Sequence, residues 1–411
     1  MSSFSEFRTG WRPLIGAIVG VGSGLTGIVF YTHGVFVVPI TGEFGWSRGA
    51  AQFAFSFVMI SAALTGPIVG SLTDKYGARA LALSGVFALS LTFAALSFTT
   101  DNILVYYALW IVMSVAAAGT FPVTWTRGVN TWFDSNRGLA LGLTMMGTGL
   151  VAAAGPVYAA WLIESFGWRD AYRAIGATLL VFAFPVAYLF FRERGVSPDT
   201  GAHSPSNHGV PLRAALSDYR FWAMGIGLLF VCYGVAGLIS NLVPMLIDKG
   251  YPATEAASYA GFVGLMVIVG RLVVGYLVDR VWAPLIAAIF LILPAVSCLL
   301  LAQDQPAPIL ISIAALLVGL AAGAELDLIA YLTSRYFGIK HYGKVYGAQF
   351  VFFAVGSGAA PAIFGWSQDV TGSYALILYS TAGLFVIGAL LMLALGKYPE
   401  FGTAKAVTET A

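Results

Sequence analysis

Between short polar breaks this chain repeats one feature: an unbroken apolar run of about 20 residues or more. Twelve such runs stand near 13–39, 49–71, 80–99, 103–127, 137–163, 170–191, 219–246, 256–278, 283–302, 308–331, 342–367 and 373–396. Each is long enough to cross a hydrocarbon core of about 30 Å. Inside hydrocarbon every backbone N–H and C=O must be satisfied within the segment, which leaves the helix as the open-chain solution. The expectation is an all-α membrane protein of twelve transmembrane helices. Composition agrees, since only 10% of the 411 residues are Asp, Glu, Lys or Arg against about 25% in soluble domains. The first run is too long for a cleavable leader and reads as a span. Cys232 and Cys298 fall inside runs and read as small buried side chains rather than a disulfide.

The charges are sorted between the two sides. Arg48, Arg169, Arg173 and Lys249 fall in the loops of one side, and Arg271 falls within a run. The remaining sixteen of the 21 Lys and Arg residues lie on the other side, together with both termini. The positive-inside rule makes that basic side, and both termini, cytoplasmic. The loops are short, which points to a bacterial inner membrane.

A Pro-, Gly- and Ser-containing stretch at 192–218 (RERGVSPDTGAHSPSNHGVPLRAALSD) divides the chain into an N-terminal six-helix half, 1–191, and a C-terminal half, 219–411. The halves match at an almost constant displacement. "VPITGEFGW" from Val38 pairs with "VPMLIDKGY" from Val243, and "GSLTDK" from Gly70 with "GYLVDR" from Gly275. "WF" at 132–133 pairs with "YF" at 336–337, and Pro156 with Pro361; three offsets are 205 and one is 204. Two six-span halves related by a pseudo-twofold axis along the membrane normal are the architecture of an alternating-access transporter, whose site lies near mid-bilayer between them.

Three stretches carry a family resemblance. "GSLTDKYGAR" (70–79) resembles the loop signature of the major facilitator superfamily between its second and third helices, with Lys75 where arginine is commoner. "GYLVDR" (275–280) is a weaker second copy. "WFDSNRGLALGLTMMGTG" (132–149) resembles the monocarboxylate transporter signature, and "GVFVVPITGEFGWSR" (34–48) resembles bacterial members of that group and the oxalate:formate antiporters. The resemblance covers the whole chain and implies that an arginine of the eighth helix, here Arg271, binds the substrate carboxylate. It also assigns Asp74, Arg79, Asp279 and Arg280 to an inner gate. The chain departs from its relatives at Val267, where mammalian carriers have an aspartate. It has no helix 1 lysine and no basic residue in "YGAQFVFFAVGSG" of helix 11, so one fixed cation points to one carboxylate on the substrate.

The residues point the same way. An arginine within a span costs about 2.5–3.5 kcal/mol on insertion scales, so its guanidinium must be paired or hydrated. Arg271 lies about 6 Å past the centre of its run at 1.5 Å per residue. Its planar fork suits a carboxylate in a way that lysine does not; the competing reading is a structural ion pair with Glu325 or Asp327. Those acids, at i and i+2 of the tenth run, project about 200° apart and cannot both face one cavity. Intramembrane carboxylates are proton-relay candidates, and the alternative is that they brace Arg335, Arg127 or Arg280. His33 titrates in the physiological range and is a third proton candidate, or else a packing residue. Tyr31, Asn241, Tyr331 and Gln349 can hydrogen-bond a substrate or, alternatively, another helix. Phe352, Phe353 and Trp125 are candidates for an apolar pocket wall.

No metal spacing, phosphate loop or nucleophile set is present, and His33, His203, His208 and His341 are scattered. These observations read as a non-enzymatic carrier that needs no cofactor beyond the proton gradient, does not bind nucleic acid, and functions as a monomer in lipid. The expected activity is proton-coupled symport of a small organic monocarboxylate. The alternative is an anion exchanger or an exporter of larger amphiphilic carboxylates.

Overall fold

A computed structural model of the chain describes residues 5–133, 136–194, 209–278, 280–338 and 340–399. The N-terminal elements are α1 (Ser5–Gly22), α2 (Phe30–Phe44), α3 (Arg48–Phe53), α4 (Ser56–Tyr76), α5 (Ala78–Ala95), α6 (Ile103–Ala116), α7 (Pro122–Asn130), α8 (Arg137–Phe166), α9 (Trp168–Thr178) and α10 (Phe184–Phe190). After them come α11 (Leu212–Leu216), α12 (Tyr219–Asp248), α13 (Ala253–Val278), α14 (Ala283–Leu301), α15 (Pro308–Phe337), α16 (Tyr342–Thr371) and α17 (Ala375–Leu393). Among the described residues, β-structure is limited to one isolated bridge, Gly209 to Gly338. Ten helical stretches among them are long and apolar enough to cross a membrane.

Those ten correspond to ten of the twelve expected spans, the second and fourth not being among them, and the match shows two differences. Several helices outrun their apolar segments: α15 continues past 331 to Phe337, and α1 begins at Ser5 rather than near 13. Helical hydrogen bonding does not stop at the hydrocarbon edge, and 30 residues at 1.5 Å each make α8, α12, α15 and α16 about 45 Å long. The other difference is that spans of the N-terminal bundle are broken. The first contains a π-turn at Leu25–Val29, the second parts between α3 and α4, and the fourth parts at Ala118–Thr120 before Pro122. Proline lacks the N–H that the preceding turn needs, so a helix restarts with it at its first position. Of the expected linker, 195–208 lies outside the described residues. Its end forms α11, and Val210 N–H donates to the Phe337 carbonyl at 2.8 Å.

The repeat read from the sequence is present in the backbone. Helices starting at Arg48, Ala78, Ile103 and Arg137 recur 205 residues later at Ala253, Ala283, Pro308 and Tyr342. Gly45 (φ 69°) ends α2 as Gly250 (φ 91°) follows α12, and Gly167 (φ 81°) ends α8 as Gly372 (φ 69°) ends α16. Left-handed helix ends of this kind take glycine because a Cβ is strained there. At this register the counterparts of Glu325 and Asp327 are Thr120 and Pro122, one residue from the alignment at 204. The charged positions of one bundle therefore coincide with a helix break in the other.

Candidate functional site

Among the described residues, the two bundles meet closely at one end. Away from the basic face, a Cβ built on Gly264 of α13 would fall on the backbone of α8, 2.6 Å from Ala153 Cα. Gly34 of α2 is pressed in the same way on the Ser240 backbone, Gly365 of α16 on Arg48 and Gly49, and Gly358 on Met59 and Ser56. Toward the basic face, Gly138 and Gly142 of α8 and Gly343 and Gly347 of α16 have nothing within 4 Å. The interface is a wedge, closed opposite the basic face and parted beside it.

Polar contacts reinforce the closed end. Arg48 forks onto both carboxylate oxygens of Asp248 at the end of α12, and its Nη1 also donates to the Tyr374 hydroxyl at 3.2 Å. Asp369 of α16 accepts from the N–H groups of Arg48 and Gly49 at 2.9 and 2.8 Å, capping α3 from across the interface. Beneath these, Gln52 donates to Asn241 at 2.7 Å in full burial, Ser56 to the Gly358 carbonyl at 2.6 Å, and Thr254 to Glu164. Lys249, adjacent to Asp248, does not compete for it, because its ammonium donates to the Gln303 and Asp304 carbonyls. Burial lowers the pKa of that ammonium, against the opposing charges of Asp304 and Asp248. Arg48 and Asp248 remain partly exposed, so their pair is discounted for screening to about 1 kcal/mol. Arg48→Gln is expected to shift the balance away from this closed state about fivefold. The labelling rate of a Ser240→Cys reporter, in a Cys232→Ser, Cys298→Ser background, measures the shift; an unchanged rate removes Arg48 from the latch.

Midway along the wedge lies the cluster that the sequence singled out. Arg271 is 7% exposed, and its Nε lies 3.2 Å from Asp327 Oδ2 on α15. α13 and α15 approach this closely because Gly323 lies against Val267 and the Arg271 N–H, and Gly270 against Leu320. The pair is ionic rather than an aligned hydrogen bond: Arg271 Nε and Nη1 are both buried without a directed acceptor among the described residues. Asp327 is 41% exposed, on the open side. Glu325 is buried and accepts from the Cys232 thiol of α12 at 3.4 Å. The two acids do point to different surroundings, yet both lie in the electrostatic field of Arg271. Tyr31, on α2 of the other bundle, lies in the electrostatic field of Arg271 and Glu325. Beyond Tyr31, toward the closed end, a narrow apolar void is lined by Gly34, Val35, Pro156, Leu242 and Val263.

Other candidates are placed elsewhere. His33 is buried between Phe55 (5.7 Å between centroids) and Trp110 (5.1 Å), and neither ring nitrogen has a partner among the described residues. Asn241 is committed to Gln52 and the Gly237 carbonyl in the closed interface, and Gln349 donates to the Phe221 carbonyl at 2.8 Å, holding α16 to α12. Tyr331 is half-buried on α15. Trp125 packs within the N-terminal bundle against Phe191 and bonds the Thr120 carbonyl; Phe352 packs on Phe221 and Trp222 and, like Phe353, against the buried group of Leu228, Cys232 and Ile329. Of the gate residues, the Asp74 side chain and Asp279 lie outside the described residues. Arg79 donates to the Tyr188 carbonyl at 2.7 Å, and Arg280 to the Tyr276 carbonyl at 2.9 Å while lying over that ring. Each is held within its own bundle, in keeping with a parted basic face. Arg335 likewise lies over Tyr398, not on the acids. Sequence reasoning missed Cys232 as the partner of Glu325, and Arg48, Gln52, Asp248 and Asp369 as a latch. The "GEFGWSR" segment was noticed, but its partners are some 200 residues or more away.

Comparison with known proteins gives a consistent result. A family model described as Major Facilitator Superfamily matches residues 19–361. An uncharacterized 38 kDa protein of the 23S RNA operon of Thermoproteus tenax is 30% identical over 367 residues, covering 88% of this chain and 90% of its own. Monocarboxylate transporter 13 of Rattus norvegicus is 25% identical over 388 residues, covering 93% and 86%. Among solved structures, a bacterial homologue of the human lysosomal transporter Spinster superposes with a TM-score of 0.68 at 16% identity, covering 96% of this chain and 95% of that one.

Proposed function

The chain belongs to the Major Facilitator Superfamily, and on that premise we propose that it is a proton-coupled carrier of small organic monocarboxylates. The observation that carries this reading is the pair of buried Arg271 donors with no directed acceptor. Leaving charged donors unmade is costly in a low-dielectric interior, and a carboxylate arriving from the open side supplies two oxygens in the geometry a guanidinium accepts. The names of relatives such as monocarboxylate transporter 13 support the same class.

Charge balance supplies the coupling. In the empty site Arg271 and Asp327 neutralise each other, and Glu325 has only a thiol, a weak donor, to hold a negative charge. A monocarboxylate adds one negative charge, which the halves cannot enclose in hydrocarbon without a counter-charge. Glu325, held only by that thiol, keeps its proton throughout, and a further proton on Asp327, once the substrate takes its place on Arg271, restores neutrality. With the basic face cytoplasmic, the present conformation faces inward, and substrate and proton leave together toward the cytoplasm. Return is by rocking of the six-helix halves, 1–191 and 219–411, with Asp74, Arg79, Asp279 and Arg280 closing the inner face.

The test is uptake of labelled pyruvate or lactate into proteoliposomes. An imposed inward proton gradient is expected to accelerate uptake at least about tenfold, and Asp327→Asn to remove that acceleration while retaining counterflow. Uptake indifferent to the gradient in the unaltered protein overturns proton symport and favours exchange.

A further inference from the structure

One wall beside the cluster is built of rings. Along α16, Tyr342 stacks on Tyr346 (centroids 5.4 Å apart, planes at 16°), Tyr346 leans on Phe350 (6.5 Å, 37°), and Phe350 stacks on Phe353 (5.0 Å, 30°). Spacings of four, four and three residues put all four on one stripe of the helix. At 1.5 Å per residue the stripe spans about 16 Å, from the basic face inward. All four are half-buried, while Gln349 and Val345, on the side turned to α12, are fully covered. Tyr346 and Phe353 close over Leu228, Cys232 and Ile329, and Tyr346 lies in the field of Asp327. The ladder therefore starts near the open mouth and ends beside the charged cluster. The neighbouring Gly343 and Gly347 leave the space in front of the helix clear.

We propose that this stripe is the specificity wall of the site: Tyr346, Phe350 and Phe353 hold the aromatic ring of a monocarboxylate whose carboxylate lies on Arg271. The proposal rests on the carboxylate reading above. A two- or three-carbon acid anchored at Arg271 leaves the ladder unengaged and wet. A planar ring attached one or two carbons from the carboxylate reaches it and stacks, with the face and edge geometry that aromatic pairs favour. The four side chains of the stripe are themselves uncharged, so the tail it accepts is uncharged.

Uptake of labelled phenylpyruvate and of labelled pyruvate by the full-length protein in proteoliposomes tests this. In the unaltered protein KM for phenylpyruvate is expected to be at least about tenfold below that for pyruvate. Phe350→Leu and Tyr346→Leu, which keep an apolar side chain but lose the ring, are expected to bring the KM ratio to within about twofold of one, whereas Tyr346→Phe keeps the preference. Equal KM values in the unaltered protein overturn the proposal, as does a preference that survives both leucine variants. The premise fails separately: if Arg271→Gln takes up both acids normally, no carboxylate anchor exists, whereas Arg271-dependent uptake of pyruvate without aromatic preference removes only the ring wall.

Discussion

Arg271→Gln is expected to lower monocarboxylate uptake at least about a hundredfold while leaving the protein folded. Two charge-assisted hydrogen bonds from a guanidinium to a carboxylate contribute about 1.5–3 kcal/mol each. A hundredfold corresponds to about 2.7 kcal/mol, within what their loss removes. The fold should survive because Asp327, the residue left without its cation, is half-exposed on the open side and can take up water or a proton there. Arg271→Lys should be nearly as inactive, since an ammonium does not reproduce the fork. The double variant Arg271→Gln, Asp327→Asn separates the roles: neutral again, it should regain thermal stability but not uptake. Initial rates in proteoliposomes, paired with tryptophan-fluorescence melting, provide the readout. Normal transport by Arg271→Gln would remove the anchor and leave a carrier of other cargo.

The second large effect concerns backbone rather than charge. Gly264 crosses α8 so closely that a side chain there overlaps Ala152 and Ala153 of the other bundle. Gly264→Val thus excludes the conformation seen here without touching the packing inside either bundle. Uptake should fall at least about a hundredfold, and a Ser240→Cys reporter should label from the side opposite the basic face as fast as in a permanently open state. Displacing an equilibrium this far takes only about 3 kcal/mol, and backbone overlap costs that or more. Gly383→Val is the control, on the outer helix α17 with nothing within 4 Å; it should keep uptake within about twofold. If Gly264→Val transports normally, the closed end does not need to close.

The spans, the repeat and the sorting of charge were legible because the bilayer imposes them one segment at a time. Arg271, Glu325 and Asp327 were legible for the same reason, as charges where hydrocarbon forbids them. Which acid meets the arginine was not: a helical wheel places Asp327 and Glu325 on different faces but says nothing of the glycines that draw α13 and α15 together. His33 stood out in the sequence and is packed between two rings. Arg48 looked like an ordinary loop cation, because its partner Asp248 is reached only once the two bundles close. The ring ladder of α16 was present as spacing, but in a chain with 14% aromatic residues such spacing does not stand out.

Every charged group of the cluster stands on the C-terminal bundle, with Tyr31 as the contribution of the other bundle among the described residues. On the proposed anchor, the carboxylate of a guest seated there stays with one rocker, and its polar contact with the other is Tyr31. A ligand shifts a conformational balance only by the difference in its contacts between states, and a single phenol hydroxyl gives about 1 kcal/mol, or roughly a fivefold bias. Cargo alone is therefore a weak lever on the machine, and loading should tighten affinity little between its two orientations. On the proposed proton-coupled reading, what licenses the turn is cancellation of charge, so the stoichiometry of the cycle is set by electrostatics and its speed by how readily the glycine-lined seams part.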